Sequence, residues 1–410
     1  MRPTLLIFLA ISLVASAWGQ EPVRILAMGQ VDPSYSPISD YLRIEPSLQG
    51  TLVVSRSIHA GIYSDDDLRR FIRIYMPRTY EELLLFDFFV FDQPILTYFE
   101  DAQVQRMFRA LEGEGTGALG FTQSGNAEMY EPWMNSELPD AFPHDQDAFI
   151  ALGMDSIEPY NLDITDDESL PGVIWPYRAL GIERVRPFGY TRMLFKREGA
   201  TTWATARDLP FAVARSCPLL ISWEYGERGS RIWATGDQFV SPMWGYWWGG
   251  DGKERFSIDI FTNIVWFSTG RNLPGDPMLV HALRTRFRDY RLRTGILYTL
   301  IDFVDRFGAN SQPLHNMVIE SNDARDRAEA EYLAQEFDQS QASLQEAFEM
   351  TVETEMHAVR VKERALLWVY LIEWSAITGT LGIVGFATWA LMIKRRAFHE
   401  VGLTRAGDFG

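Results

Sequence analysis

Two apolar runs of unequal length bracket the chain, and between them short apolar stretches alternate with amphipathic ones. The first run, Leu5 to Val14, follows Met1-Arg2 and precedes Ala15-Ser16-Ala17. Charge, apolar core and small residues in that order predict a secretory signal peptide over residues 1–19, cleaved after Ala17 or Gly19. Its core is shorter than the roughly 20 residues a spanning helix needs, which distinguishes it from an uncleaved anchor. The second run, Ala365 to Ile393, is long enough to cross a bilayer with tilt and stops at Lys394-Arg395-Arg396. The basic stop predicts a cytoplasmic tail over 394–410, and the signal peptide independently predicts that the chain before the span lies outside. Trp368, Tyr370 and Trp374 near one end of the run and Trp389 near the other suit the two membrane interfaces. The expected location is the cell membrane, crossed once.

Within residues 20–272 the pattern predicts an extracytoplasmic α/β domain. Val23 to Gly29 and Thr51 to Ser55 read as strands joined by a short helix from Ser36 to Leu42, with Pro37 just inside its start. Asp65-Asp66-Asp67 precedes LRRFIRIY, and acids in a first turn mark a helix N-terminus. Leu83 to Phe91, nearly unbroken in apolar residues, predicts a strand buried on both faces. A helix from Glu100 to Leu111, a glycine turn and a strand from Ala118 to Phe121 complete a βαβ crossover. Residues 122–186, rich in Pro, Asp and Trp, read as an insertion or cap. Tyr190–Lys196, Thr201–Ala206, Phe211–Ala214, Leu219–Glu224 and Arg231–Thr235 then predict an antiparallel extension of the parallel sheet. Glu254 to Ser268 has helical spacing and closes the domain.

From Pro277 the period becomes helical: Met278–Phe307, Gln312–Phe337 and Asp338–Arg364, broken at Gly308-Ala309-Asn310. Residues 273–364 are therefore a helical neck, and its last helix is expected to run on into the span at 365–393. The neck packs within its own protomer or offers a surface for a homo-oligomer.

Composition narrows the chemistry. Lys and Arg total 38, of which only Lys196, Lys253, Lys362 and Lys394 are lysine, against 55 Asp and Glu; the net charge of −17 argues against nucleic acid as a partner. The single cysteine, Cys217, excludes an intrachain disulfide and any zinc site with two thiolates. Six scattered histidines have no metal-ligand spacing, so no metal and no cofactor is expected.

Ligands of a parallel sheet bind beyond its C-terminal strand ends, where this chain places Gln30, Asp92, Gln93, Gln123, Ser124, Asn126, Asp237 and Gln238. Asp92 and Asp237 are a candidate acid and base pair; turn hydrogen bonds are the alternative for the whole group. Trp244, Tyr246, Trp247 and Trp248 in the glycine-rich loop Ser241–Gly252 are candidates for stacking on sugar or anchoring a protein. Glu373 lies about two turns inside the apolar run, where its carboxylate either reaches the headgroups or meets a partner helix. Gly379, Gly382 and Gly385 on one face of the same run permit close helix approach.

The order VRILAMG, FDFFVFDQP, a helix, GTGALGFTQSG, RIWATGDQF and a last helix ending FTNIVWFSTGR resembles the class I glutamine amidotransferase-like superfamily over residues 22–270. The resemblance implies a parallel-core sheet flanked by helices. Catalytic members present a cysteine in a G-x-C-x-G turn after the crossover, and here Gly120-Phe121-Thr122-Gln123-Ser124-Gly125 carries none. The implied domain is catalytically degenerate, with no catalytic residue to assign. The signal, the helical neck and the basic-stopped span together resemble uncharacterised archaeal single-pass surface proteins. The expected role is binding of a ligand, or of a surface or membrane protein, in cell-surface assembly. The competing expectation is a hydrolase of glycan or peptide working through the strand-end carboxylates.

Overall fold

The computed structural model describes residues 21–34, 36–57, 62–121, 127–145, 155–156, 160–167, 169–182, 191–192, 194–208, 216–239, 241–245 and 255–406. The signal peptide, Phe211–Ala214 and most of the 246–254 loop's aromatic cluster, namely Tyr246, Trp247 and Trp248, lie outside them.

Ten strands are described: β1 (Val23–Gly29), β2 (Leu48–Val54), β3 (Phe88–Asp92), β4 (Gly117–Phe121), β5 (Asp155–Ser156), β6 (Asn161–Ile164), β7 (Thr191–Arg192), β8 (Thr201–Arg207), β9 (Ser216–Tyr225) and β10 (Ser230–Thr235). Eight of them form one sheet in the order β2-β1-β3-β4-β10-β9-β8-β6, while β5 and β7 pair separately. The first five in that order run parallel, and β9, β8 and β6 add antiparallel strands at the far side. The expected parallel core with an antiparallel extension is therefore present, except that the strand expected at Tyr190–Lys196 is reduced to β7, which pairs with β5 and not with the main sheet. Its outermost strand, β6, comes from within the segment read as an insertion.

Helices α1 (Pro37–Ile44), α2 (Asp65–Tyr75), α3 (Tyr80–Leu83), α4 (Asp101–Gly113), α5 (Ala127–Met134) and α6 (Ser257–Ser268) flank the sheet. Sequence sets their starts. Ser64 caps α2 by accepting from Asp67 N at 3.2 Å, and the Asp67 carboxylate accepts from Ser64 N at 3.1 Å. That reciprocal box satisfies donors the helix leaves open. A second box, Thr79 with Glu82, corrects the expected strand from Leu83 to Phe91: Leu83 ends α3, and β3 begins only at Phe88. The local cap captured the first leucine of an apolar run whose composition also suited a strand.

Alternation along the buried strands divides the core. Phe88 and Val90 share a cluster with Ile38 and Tyr41 of α1 and with Ile260 and Ile264 of α6. Phe89 and Phe91 share the other with Ile72 of α2 and Met107 and Leu111 of α4. Every residue of β3 is buried, as expected for a central parallel strand.

Three long helices follow: α7 (Pro277–Arg306), α8 (Gln312–Leu333) and α9 (Phe337–Ala406). The chain divides into two compact units, residues 1–288 with 328–341, and residues 289–327 with 342–410. In the first, Arg284 is buried and donates from Nε to Glu45 and from Nη1 to Asp259, both carboxylates being wholly buried. Burial alone would lower the Arg284 pKa, but Glu45 and Asp259 outweigh it and hold the guanidinium charged, well above its usual range. Tyr332 donates to Glu45 at 3.1 Å, Ser47 Oγ donates to it at 2.7 Å, and His281 Nδ1 lies 2.7 Å from Asp259.

In the second unit, Tyr290, Thr294, Leu297, Ile301 and Val304 of α7 are buried, as are Leu314, Val318 and Ser321 of α8 and Leu344, Ala347, Thr351, Thr354 and Ala358 of α9. Spacings of three and four make these the seams of a helical bundle. A polar layer crosses it: Ser321 Oγ lies 2.8 Å from Tyr290 Oη and 2.7 Å from Thr351 Oγ1, and donates to Ala347 O at 3.0 Å. Beyond Ala365, α9 continues unbroken through the apolar run. It is the one helix among the described residues long and apolar enough to cross a membrane, and its best window has a mean hydropathy of 1.7 with none of it buried. Glu373 is exposed on it.

Candidate ligand site at the strand ends

The C-terminal ends of four parallel strands share one rung. Gly29 of β1 pairs with Val54 of β2 on one side and Asp92 of β3 on the other, and Asp92 pairs with Phe121 of β4. After β1 the chain turns to β2 at one side; after β3 it turns to β4 at the other. The crevice between β1 and β3 is thus the switch point of the sheet, the place where doubly wound sheets take their ligands.

Backbone conformation at this rung is unusual on both strands. Gly29 has φ +117°, and a Cβ there would lie 1.8 Å from Asp92 O, so only glycine fits. Its carbonyl accepts from Ser55 N at 3.1 Å and Arg56 N at 3.2 Å, while Asp92 O accepts from Gln30 N at 2.8 Å. Gln93, with φ +52°, holds the left-handed region without being glycine, and its N–H reaches Phe121 O at 3.1 Å. Such conformations persist where the surroundings enforce them, and they concentrate at functional sites.

Asp92 is wholly buried, and neither carboxyl oxygen has a hydrogen-bond partner among the described residues. Sharing the parity of Phe88 and Val90, it points to the face of α1 and α6. Burial pushes its pKa up to about 8, against the opposing pull of the Arg56 guanidinium. Ser55 Oγ, on the far side of Gly29, is likewise buried without a hydrogen-bond partner among the described residues. A buried acid left unbonded destabilises a fold, so this rung is costly as the chain stands.

Asp237, two residues past β10, is engaged differently. Its Oδ2 accepts from Tyr160 Oη at 3.0 Å and from Ser241 Oγ at 2.6 Å, and its backbone carbonyl accepts from Trp244 Nε1 at 3.3 Å. Burial and the Asp237 carboxylate together hold the Tyr160 hydroxyl well above its usual pKa. Strand β4 lies between β3 and β10, which separates the two backbones by about 9–10 Å. Asp92 and Asp237 are therefore two environments, one unbonded and one tied by two hydroxyls.

Of the other expected site residues, Gln93 and Gln30 are buried at the rung and Gln238 is buried beside Asp237. Trp244 is 1% exposed, with its ring centroid 5.1 Å from that of Phe239 and its carbonyl accepting from Tyr41 Oη. It packs beside Asp237, and the expected exposed stacking surface is not found at that ring. Gln123, Ser124, Asn126, Trp247 and Trp248 lie outside the described residues. Cys217 is buried in the core, and burial pushes its thiol up to about 12, which removes it as a nucleophile at ordinary pH. Among the described residues no group of three or more His, Cys, Asp or Glu is placed to hold a metal.

Sequence reading missed Ser55, Arg56, Asp32 and Tyr160. Asp32 is buried, accepting from Ser34 N at 2.7 Å and from Tyr63 Oη. Arg56 immediately follows the apolar stretch TLVVS, and a charged residue just past an apolar strand end is the pattern that would have found it. Tyr160 stands 77 positions from its partner, with no local pattern to mark it. Compared with protein-family models, with curated proteins and with solved structures, the chain finds no match, and the reading of the site rests on its own residues.

Proposed function

We propose that this chain is an exported, single-pass membrane protein whose α/β unit stands outside the cell and binds a ligand or protein partner at the β1/β3 switch point, without catalysis of its own. The observation that carries the reading is Asp92, a buried carboxyl with no hydrogen-bond partner among the described residues, at the place where this topology takes ligands. An unbonded buried polar group calls for an explanation, and a ligand at the switch point supplies one. The absence of a cysteine in Gly120 to Gly125 and the inert Cys217 thiol both favour binding over thiol chemistry. Lys394-Arg395-Arg396 at the end of the apolar run supports a cytoplasmic C-terminus, and the apolar run itself supports the anchor.

One observation favours the second reading, a hydrolase of extracellular glycan or peptide. A carboxyl with a pKa of about 8 is able to give and take a proton near neutral pH. Purification of the full chain from its own membranes in mild detergent, with crosslinking and mass spectrometry, separates the two. A stoichiometric partner that Asp92→Asn loses, while the variant stays folded and membrane-bound, supports binding. Recovery of the chain alone, together with glycan or peptide hydrolysis that Asp92→Asn abolishes, overturns it in favour of the enzyme.

A further inference from the structure

A second cleft, of about 550 Å³, opens on the opposite side of the sheet from Asp92. It lies between the turn Leu96–Tyr98 after β3, the first half of α4 and the segment following α5. Leu96 and Phe99 on its floor belong to the cluster of Phe89 and Phe91, whose side chains alternate with that of Asp92's face. The volume falls within the range of ligand sites.

Its lining is chemically one-sided. Among the described residues both charged side chains that line it, Asp101 and Glu137, are carboxylates, and none is basic. Asp101 opens α4, whose N-terminus favours its negative charge. Gln105, one turn on, and Asn135 on the facing segment add amide groups, while Phe99 and Phe108 supply apolar wall. Asp101, Gln105, Asn135 and Glu137 are exposed, so the mouth admits a group presented from solution.

The geometry points to a docking cleft for a lysine or arginine side chain of a partner polypeptide, with its alkyl stem on Phe99 and Phe108 and its cation between Asp101 and Glu137. A guanidinium or ammonium on a flexible stem carries both halves of that chemistry. The acidic excess of the chain would steer a basic partner towards it. The cleft shares no lining residue with the Asp92 rung, and the inference stands whether or not that rung binds anything.

The test is calorimetric titration of the full chain in detergent with hexa-arginine peptide, with cadaverine and hexa-glutamate alongside. The expected result is binding of hexa-arginine, no binding of hexa-glutamate, and at least ten-fold weaker peptide binding by Asp101→Asn/Glu137→Gln. Glu349→Gln/Glu353→Gln, which removes the same charge from exposed positions on α9, should stay within two-fold of the natural chain. An equal loss in that control would reduce the attraction to net charge and overturn the assignment. So would undiminished binding by the cleft variant. Cadaverine binding as tightly as the peptide would give the cleft to a free amine instead of a polypeptide.

Discussion

An Asp92→Asn chain should unfold at a higher temperature than the natural one at pH 7 and above. The folded chain keeps a proton on Asp92 up to about pH 8, whereas the unfolded chain releases it near 3.8. Between those values the native state binds the extra proton, so stability falls as pH rises, by about 1.4 kcal/mol per pH unit. The accumulated penalty is on the order of 4 kcal/mol at pH 7 and levels off above the folded pKa. Asparagine keeps the shape and the unmet hydrogen bonds but carries no ionisable proton, so a gain of about 2–4 kcal/mol is the realistic expectation. Thermal melts followed by circular dichroism from pH 4 to 9 would check it. The two chains should converge near pH 4 and separate as pH rises. Parallel curves would mean that Asp92 does not titrate as its burial dictates, and the stability argument for a ligand at the switch point would fail.

Arg284→Met should be the most damaging single substitution outside the sheet. It leaves Glu45 and Asp259 buried together with no cation between them, and breaking one partner from a buried ionic group costs about 3–5 kcal/mol. Trp266 reports the change directly, because the Arg284 guanidinium carbon lies 5.3 Å from its ring centroid. A lowered melting temperature with altered tryptophan emission is expected, and Arg284→Met/Glu45→Gln/Asp259→Asn should recover much of the loss by removing the stranded charges. Should Arg284→Met yield no folded protein, Asp259→Asn alone provides the measurement, with a smaller loss. A single variant that melts within a degree of the natural chain would show the network to be idle.

How far the sequence announces this architecture depends on the range of the interaction. Val23 to Gly29 is legible as β1 because an apolar run closes on a glycine, and Pro37 with Ser36 places α1. The acids at 65–67 mark the start of α2 for the same local reason. Asp92 and Asp237 are legible as strand-end positions, since each follows an apolar run and precedes a turn. What separates them is not legible. Tyr160 ties Asp237 from 77 residues away and Arg284 reaches Glu45 across 239, whereas Asp92 has no hydrogen-bond partner among the described residues. Periodicity tells which face a residue occupies and is silent on which distant residue faces it. The misplaced start of β3 has the opposite cause, a strong local cap at Thr79 and Glu82 inside a stretch whose composition suited a strand equally well.

The unbroken course of α9 fixes a rotational phase. The bundle seam at Leu344, Ala347, Thr351, Thr354 and Ala358 and the bearing of Glu373 belong to one continuous helix, so the orientation of the carboxylate around the helix axis follows from that of the seam. One residue inserted after Ala365 would turn everything beyond it by about 100° and advance it about 1.5 Å. Seven would bring Glu373 back to within about 20° of its original bearing. A neighbouring helix that engages Glu373 should lose its grip on the first variant and regain it on the second, whereas a carboxylate that only reaches for headgroups would be indifferent to the turn.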